Sequence, residues 1–125
     1  MNITPDHITS LQPDEVFVFG SNANGAHGGG AARIAHAKFG AIWGEGHGHH
    51  GQTYAIDTMS GLDVLAAEAH AFAQYATEHP ELRFLLTPVG CGIAGYTAAH
   101  VAPLFAGVPS NVSLPAEFAE VLGRG

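Results

Sequence analysis

Residues 44 to 51, GEGHGHHG, place His47, His49, His50 and Glu45 within eight positions. Imidazole and carboxylate groups this close together can hold a metal ion, move a proton, or simply decorate a turn. A closed structural zinc site takes four nitrogen or sulfur ligands, and the histidines of this run supply at most three. Glycines 44, 46, 48 and 51 keep the segment flexible. It is read first as a mobile, exposed loop. Second, it is a wall of a ligand site in which Glu45 or a histidine such as His47 serves as general base, a role that needs only reach and a suitable protonation state. A metal-binding loop comes third, and no native metal or cofactor is expected.

Other residues with chemical potential stand at the ends of apolar runs. Cys91, the one cysteine, lies between Gly90 and Gly92; it excludes an internal disulfide. A thiol beside a helix N-terminus can be activated, but Cys91 reads more simply as a small residue in a turn. Asp57 either contacts a ligand or caps the following turn. Tyr96 covers a sugar or packs its own loop.

The densest glycine lies in two stretches, GSNANGAHGGGAAR (20 to 33) and GCGIAGYT (90 to 97). Each is expected to leave a strand and enter a helix. Glycine lets a backbone approach a ligand closely and adopt positive φ, and the first-turn amides of the following helix point into the same space. One exposed helix end contributes only about 0.3 to 1 kcal/mol toward an anion, so a tight site needs both loops facing each other. Neither stretch is a standard nucleotide motif: GxxxxGK[ST] lacks its lysine, and no GxGxxG has the required strand, helix and downstream acid.

The elements that must position these loops follow from periodicity. EVFVFG (15 to 20) and QTYAIDT (52 to 58) read as strands, and RFLLTPVG (83 to 90) as a strand buried on both faces at the centre of a sheet. GAARIAHAKFG (30 to 40) reads as a helix stopped by Gly40. The apolar spacing from Leu62 to His79 predicts an amphipathic helix with Ser60 as a possible cap and Pro80 as breaker. A helix can begin at Thr97, with Pro103 ending it or tightening its last turn. A short strand (111 to 115) and a terminal helical segment (116 to 122) complete the chain. Strands alternating with helices predict an α/β fold with a mostly parallel sheet covered on both faces. Ligands bind such sheets beyond the carboxyl ends of the strands.

Composition bounds the partners. The 125 residues fit one domain, residues 1–125, with one core. Four basic residues against eleven acidic ones give a formal charge of -7, so non-specific binding to duplex nucleic acid has no electrostatic source. No apolar run approaches a membrane span, and MNITPDHITS lacks the basic and apolar regions of a secretion signal. A cytoplasmic location is expected.

The motifs also carry a resemblance. VFGSNANGAHGGGAARIAH (18 to 36) resembles the first ligand loop of macro domains, the ADP-ribose-binding family: a strand ending in NAAN, a short spacer, GGGG and a helix. Asn22 falls on the second asparagine, and His27, Gly28, Gly29 and Gly30 on the glycine run. CGIAGY (91 to 96) is similar to the second loop, with Gly92, Ile93, Gly95 and Tyr96 matching and Ala94 replacing an aromatic. DHIT (6 to 9) resembles the GDIT that opens these domains, and the resemblance implies that Asp6 binds the adenine amino group. The order FVFGSN, HGGGAAR, FGAIWGEG, QTYAI, GCGIAGY and NVSLP resembles a compact, phage-associated family of macro-like bacterial proteins over almost the whole chain.

The resemblance implies a three-layer α/β/α macro-like fold. It also implies ADP-ribose, or a derivative, held by residues 20 to 31 and 90 to 96: Ser21, Asn22, His27, Gly28, Gly29, Gly30 and Ala31, with Gly90, Cys91, Gly92, Ile93, Ala94, Gly95 and Tyr96. An ADP-ribosylated macromolecule is the implied larger partner. Two departures bear on chemistry. The aspartate that helps activate water in macro-domain hydrolases is Ala32 here, and the first asparagine of NAAN is Phe19. Hydrolysis of an ADP-ribose linkage would fall to Asn22, which cannot act as a base, together with Glu45 or His47. A reader or scavenger without turnover is the alternative, and a histidine-loop metal protein the third.

Overall fold

The run from Val16 to Phe19 has no polar position, and its side chains alternate between two faces. Val16 and Val18 point to one side of the first strand, Phe17 and Phe19 to the other, and all four are buried. Such a strand can only sit inside a covered sheet. In the computed structural model, which describes residues 2–124, it is β1 (Glu15–Ser21). β1 holds the middle of a five-stranded sheet that has β2 (Gly48–His50) at one edge and is ordered β2-β3-β1-β4-β5. It pairs in parallel with β3 (Thr53–Asp57) and β4 (Arg83–Leu86), and β4 pairs in parallel with β5 (Val112–Ser113). β4 is therefore interior but not central, and it ends at Leu86, because Thr87 to Gly90 turn away toward the next helix.

Helices cover both faces, giving three α/β/α layers of unequal depth. On one face α2 (Leu62–Glu78) buries Leu65, Ala69, Phe72 and Ala76, spaced at four, three and four as one helical stripe requires. With Val101 of α3 (Ala98–Val101), Phe105 and Phe118 of α4 (Ala116–Val121), they close over Val16, Val18, Tyr54, Ile56, Phe84 and Leu86. A fully buried phenylalanine contributes about 1.5–3 kcal/mol, and this face holds four: Phe72, Phe84, Phe105 and Phe118. On the opposite face one helix, α1 (Gly30–Ile34), continuing as a π-helical turn over Ala35–Phe39, lays Ala32, Ala35 and Phe39 on Phe17, Phe19 and Ala55.

Of the residues expected to end or tighten elements, Gly40 and Pro103 do so and Ser60 does not, while the strands expected over 83 to 90 and 111 to 115 shorten to Arg83–Leu86 and Val112–Ser113. Gly40 stops the first helix at φ 93, a left-handed conformation that glycine adopts without a Cβ clash. Pro103 sits in a 3-10 turn, Ala102–Phe105, that tightens the end of α3. Ser60, expected as the cap of α2, does not cap it: its hydroxyl donates to Asp57 Oδ2 at 2.5 Å, and Gly61 occupies the cap position.

The histidine segment is built into the sheet rather than left as a loop. Gly48–His50 forms β2, an edge strand antiparallel to β3 with His49 opposite Tyr54. Upstream, a methyl group placed on Gly46 would overlap the Asn22 carbonyl oxygen, and one on Gly25 would overlap the backbone of Gly44 and Glu45. The 44 to 46 backbone thus lies directly against the first glycine loop and supports it from behind. No helix among the described residues is long and apolar enough to cross a membrane.

Candidate functional site

Parallel strands deliver both glycine loops to one rim of the sheet. β1 ends at Ser21 and β4 at Leu86, and the chain leaving each turns toward a helix start. Between them opens a cleft of about 680 Å³. Gly29, Gly30, Ala31 and Ala32 line one side, Gly90 to Ala94 the other, Gly20 and Ser21 the base, and Thr58 and Met59 enter from the end of β3. The two loops share one concave surface, as the site requires.

Backbone donors are abundant there. The first ladder bond of α1 runs from Arg33 N to Gly29 O at 3.2 Å, so the amides of Gly30, Ala31 and Ala32 precede the ladder. In the second loop, Cys91 N donates to Pro88 O, Gly95 N to Gly92 O and Tyr96 N to Gly90 O. The amides of Gly92, Ile93 and Ala94 have no acceptor among the described residues. Gly30, Gly90 and Gly95 hold φ of 57, 80 and 82, the curvature these bends need. Neither lysine nor arginine lines this cleft among the described residues. Any anion there meets peptide dipoles instead of side-chain cations.

A second hollow of about 360 Å³ adjoins the cleft and shares Ala31, Thr87 and Pro88 with it. Asp6 lies in this hollow beside the apolar side chains of Phe17 and Ile34, with Lys38 also on its wall. The N-terminal segment reaches that position because Ile3 bridges to Leu114 and Thr4 N donates to Leu114 O.

Several expected ligand residues are used structurally. His27 is 1% exposed: its Nε2–H donates to the Ile42 carbonyl at 2.8 Å, and Nδ1 faces the Ser21 hydroxyl at 3.3 Å. The ring is locked beneath the loop, packed edge-on against Phe19 and Trp43. Gly28 lies over Trp43 rather than on the cleft wall. Asn22 lines the cleft, but its side chain closes its own loop, donating to Ala26 O and accepting from Ala26 N. Gly95 shapes its turn from outside the lining, and Tyr96 packs on the core beside Gly90.

The candidate bases are elsewhere. Glu45 is exposed behind the first loop, and neither it nor His47 lines the cleft. His47 Nδ1 instead meets Glu68 Oε2 at 2.6 Å, while Glu68 Oε1 accepts from Asp57 N at 2.9 Å. Asp57 caps its turn, accepting from Met59 N and the Ser60 hydroxyl. The remaining loop histidines diverge: His49 Nδ1 pairs with the Tyr75 hydroxyl, and His50 Nε2 with the carbonyl of His47. Three imidazoles facing three separate partners do not converge on an ion, and no group of three potential metal ligands gathers among the described residues.

Burial shapes the local titration. It pushes the Tyr54 phenol up to about 12, assisted by the Glu68 carboxylate, and raises Tyr75 as well. Burial also lowers His49 below its ordinary value, with the charges of His79 and His50 adding to the effect. Cys91, on the cleft wall, is raised by burial and next by Glu117, so its thiol stays protonated rather than activated.

Thr58, Met59, Thr87 and Pro88 line the cleft without any sequence motif to mark them. They arrive because they follow the carboxyl ends of β3 and β4, and strand order was the one signal available for them. No family model, curated protein or solved structure matches the chain.

Proposed function

We propose that the chain binds ADP-ribose or a closely related nucleotide diphosphate in the cleft between its two glycine loops. The observation that carries the reading is that Gly29 to Ala32 and Gly90 to Ala94 line the same cavity. A diphosphate fits a wall of unpaired amides, and preorganised backbone donors need no basic side chain to bind it. Asp6 in the adjoining hollow suits an exocyclic base amine next to apolar walls. The resemblance of both loops to macro domains supports the same assignment.

Binding without turnover is the preferred form of the proposal. No aspartate, glutamate or histidine lines the cleft among the described residues, and a general base must reach the proton it removes within about 3 Å or through one water. Hydrolysis of an ADP-ribose linkage is the second reading, favoured by Asn22 on the cleft wall. A cytoplasmic setting belongs to the proposal and is checked by fractionating cells that express the chain.

Titration calorimetry with ADP-ribose, with and without a chelator, tests the binding. Saturable heat unaffected by chelation is expected; no heat at millimolar ligand removes the proposal. Incubation with ADP-ribosylated protein separates the two readings, because a reader leaves the modification in place. Loss of the modification, abolished by Glu45→Gln, would return Glu45 to the role of base.

A further inference from the structure

Two large apolar side chains stand in water at the mouth of the cleft. Ile93 is 88% exposed and Met59 50% exposed, and both line the cavity. Single exposed apolar residues are ordinary on protein surfaces. These two differ because they converge on one cavity from separate loops, each on a bonded turn. Met59 N donates to Asp57 Oδ1 at 3.0 Å, and the bonds Gly95 N to Gly92 O and Tyr96 N to Gly90 O frame Ile93. A preordered apolar pair at the edge of a polar cradle loses little freedom on meeting a partner.

We propose that Met59 and Ile93 dock the polypeptide to which the nucleotide is attached, so that the preferred ligand is a nucleotide-modified protein segment with an apolar side chain beside the modified residue. This rests on the nucleotide reading above. Whatever is tethered to a ligand in the cleft emerges on its solvent side, where these two lining side chains are exposed. Charge decides between the macromolecules that could be tethered. The chain carries a formal charge of -7, and no lysine or arginine among the described residues lines the cleft. An emerging nucleic-acid strand would bring one phosphate per nucleotide against a chain of net negative charge, at a cleft whose own wall supplies no side-chain cation among the described residues. A neutral or basic peptide meets no such repulsion, and its apolar side chains can cover Met59 and Ile93.

The test compares four ligands by calorimetry: free ADP-ribose, an ADP-ribosylated peptide with leucine on both sides of the modified residue, the same peptide with glycine there, and an ADP-ribosylated RNA oligonucleotide. The leucine peptide is expected to bind about tenfold tighter than the glycine peptide. That ratio should collapse toward one in Met59→Ser and in Ile93→Ser, whose exposed positions leave folding intact. Equal affinity for the two peptides, or tighter binding of the modified RNA, overturns the proposal while free ADP-ribose binding preserves the cleft assignment. Failure of all four ligands overturns both.

Discussion

His27 donates its Nε2–H to the carbonyl oxygen of Ile42 at 2.8 Å, tying the first glycine loop to a segment fifteen residues farther along the chain. The resemblance placed this histidine among ligand contacts. Its position makes it the bolt that holds the loop in shape, since the Ser21 hydroxyl at 3.3 Å is on its other nitrogen. Replacing His27 with alanine opens a cavity and strands the buried Ser21 hydroxyl, while the Ile42 carbonyl keeps its bond from Glu45 N. The expected cost is roughly 2–4 kcal/mol of stability. Urea denaturation measures it, and a loss below about 0.5 kcal/mol, the range of ordinary surface substitutions, would show that the ring bears no structural load.

Gly29 and Gly92 offer the opposite experiment. A methyl group on either meets nothing within 4 Å, and Gly29 has an extended φ of -151 that any residue adopts. Gly29→Ala and Gly92→Ala should therefore shift stability by no more than about 0.5 kcal/mol. Both methyl groups are added on the cleft walls, and each should weaken ADP-ribose binding at least about tenfold. Unchanged affinity in both would mean that the ligand does not approach the backbone there.

His49 gives a pH signature. Its pKa in the fold lies below the ordinary 6.5, chiefly through burial. As pH falls through that value the unfolded chain takes up the proton before the folded one, so the contribution of neutral His49 is complete above 6.5 and is lost on acidification. His49 Nδ1 also shares a hydrogen bond with the Tyr75 hydroxyl, so a change of ring protonation is felt by both. Urea midpoints should drop between about pH 7.5 and about pH 5.5, with a shallower drop in His49→Gln. Identical slopes in the two proteins would locate the acid sensitivity elsewhere.

Cys91 should behave as an unreactive thiol. Burial and Glu117 raise its pKa above 9.0, and only the thiolate is nucleophilic. Alkylation by iodoacetamide near neutral pH is expected to run slower than that of free cysteine and to accelerate as the solution becomes alkaline. Saturating ADP-ribose should slow it further, because Cys91 lines the cleft. Fast labelling at neutral pH would point to an activated cysteine instead.

The fold was legible where burial imposes a period. The α2 stripe of Leu65, Ala69, Phe72 and Ala76 and the unbroken β1 run encode their surroundings directly. The edge strand β2 was not, because Gly48, His49 and His50 alternate nothing; their extended shape comes from pairing with Thr53 to Ala55. Among site residues, the glycines announced themselves through their conformational licence. The destinations of His27, Glu45 and His47 depend on which partners the folded chain brings near them, Ile42, Asn22's loop and Glu68 respectively. No local pattern carries that information.

The sheet is insulated unevenly, with three helices over Phe84 and only α1 and its π-helical turn over Phe17 and Phe19. The thin side also forms a wall of the cleft, through Ala31 and Ala32. Breathing of that single layer would expose its amides to hydrogen exchange at a free energy well short of global unfolding.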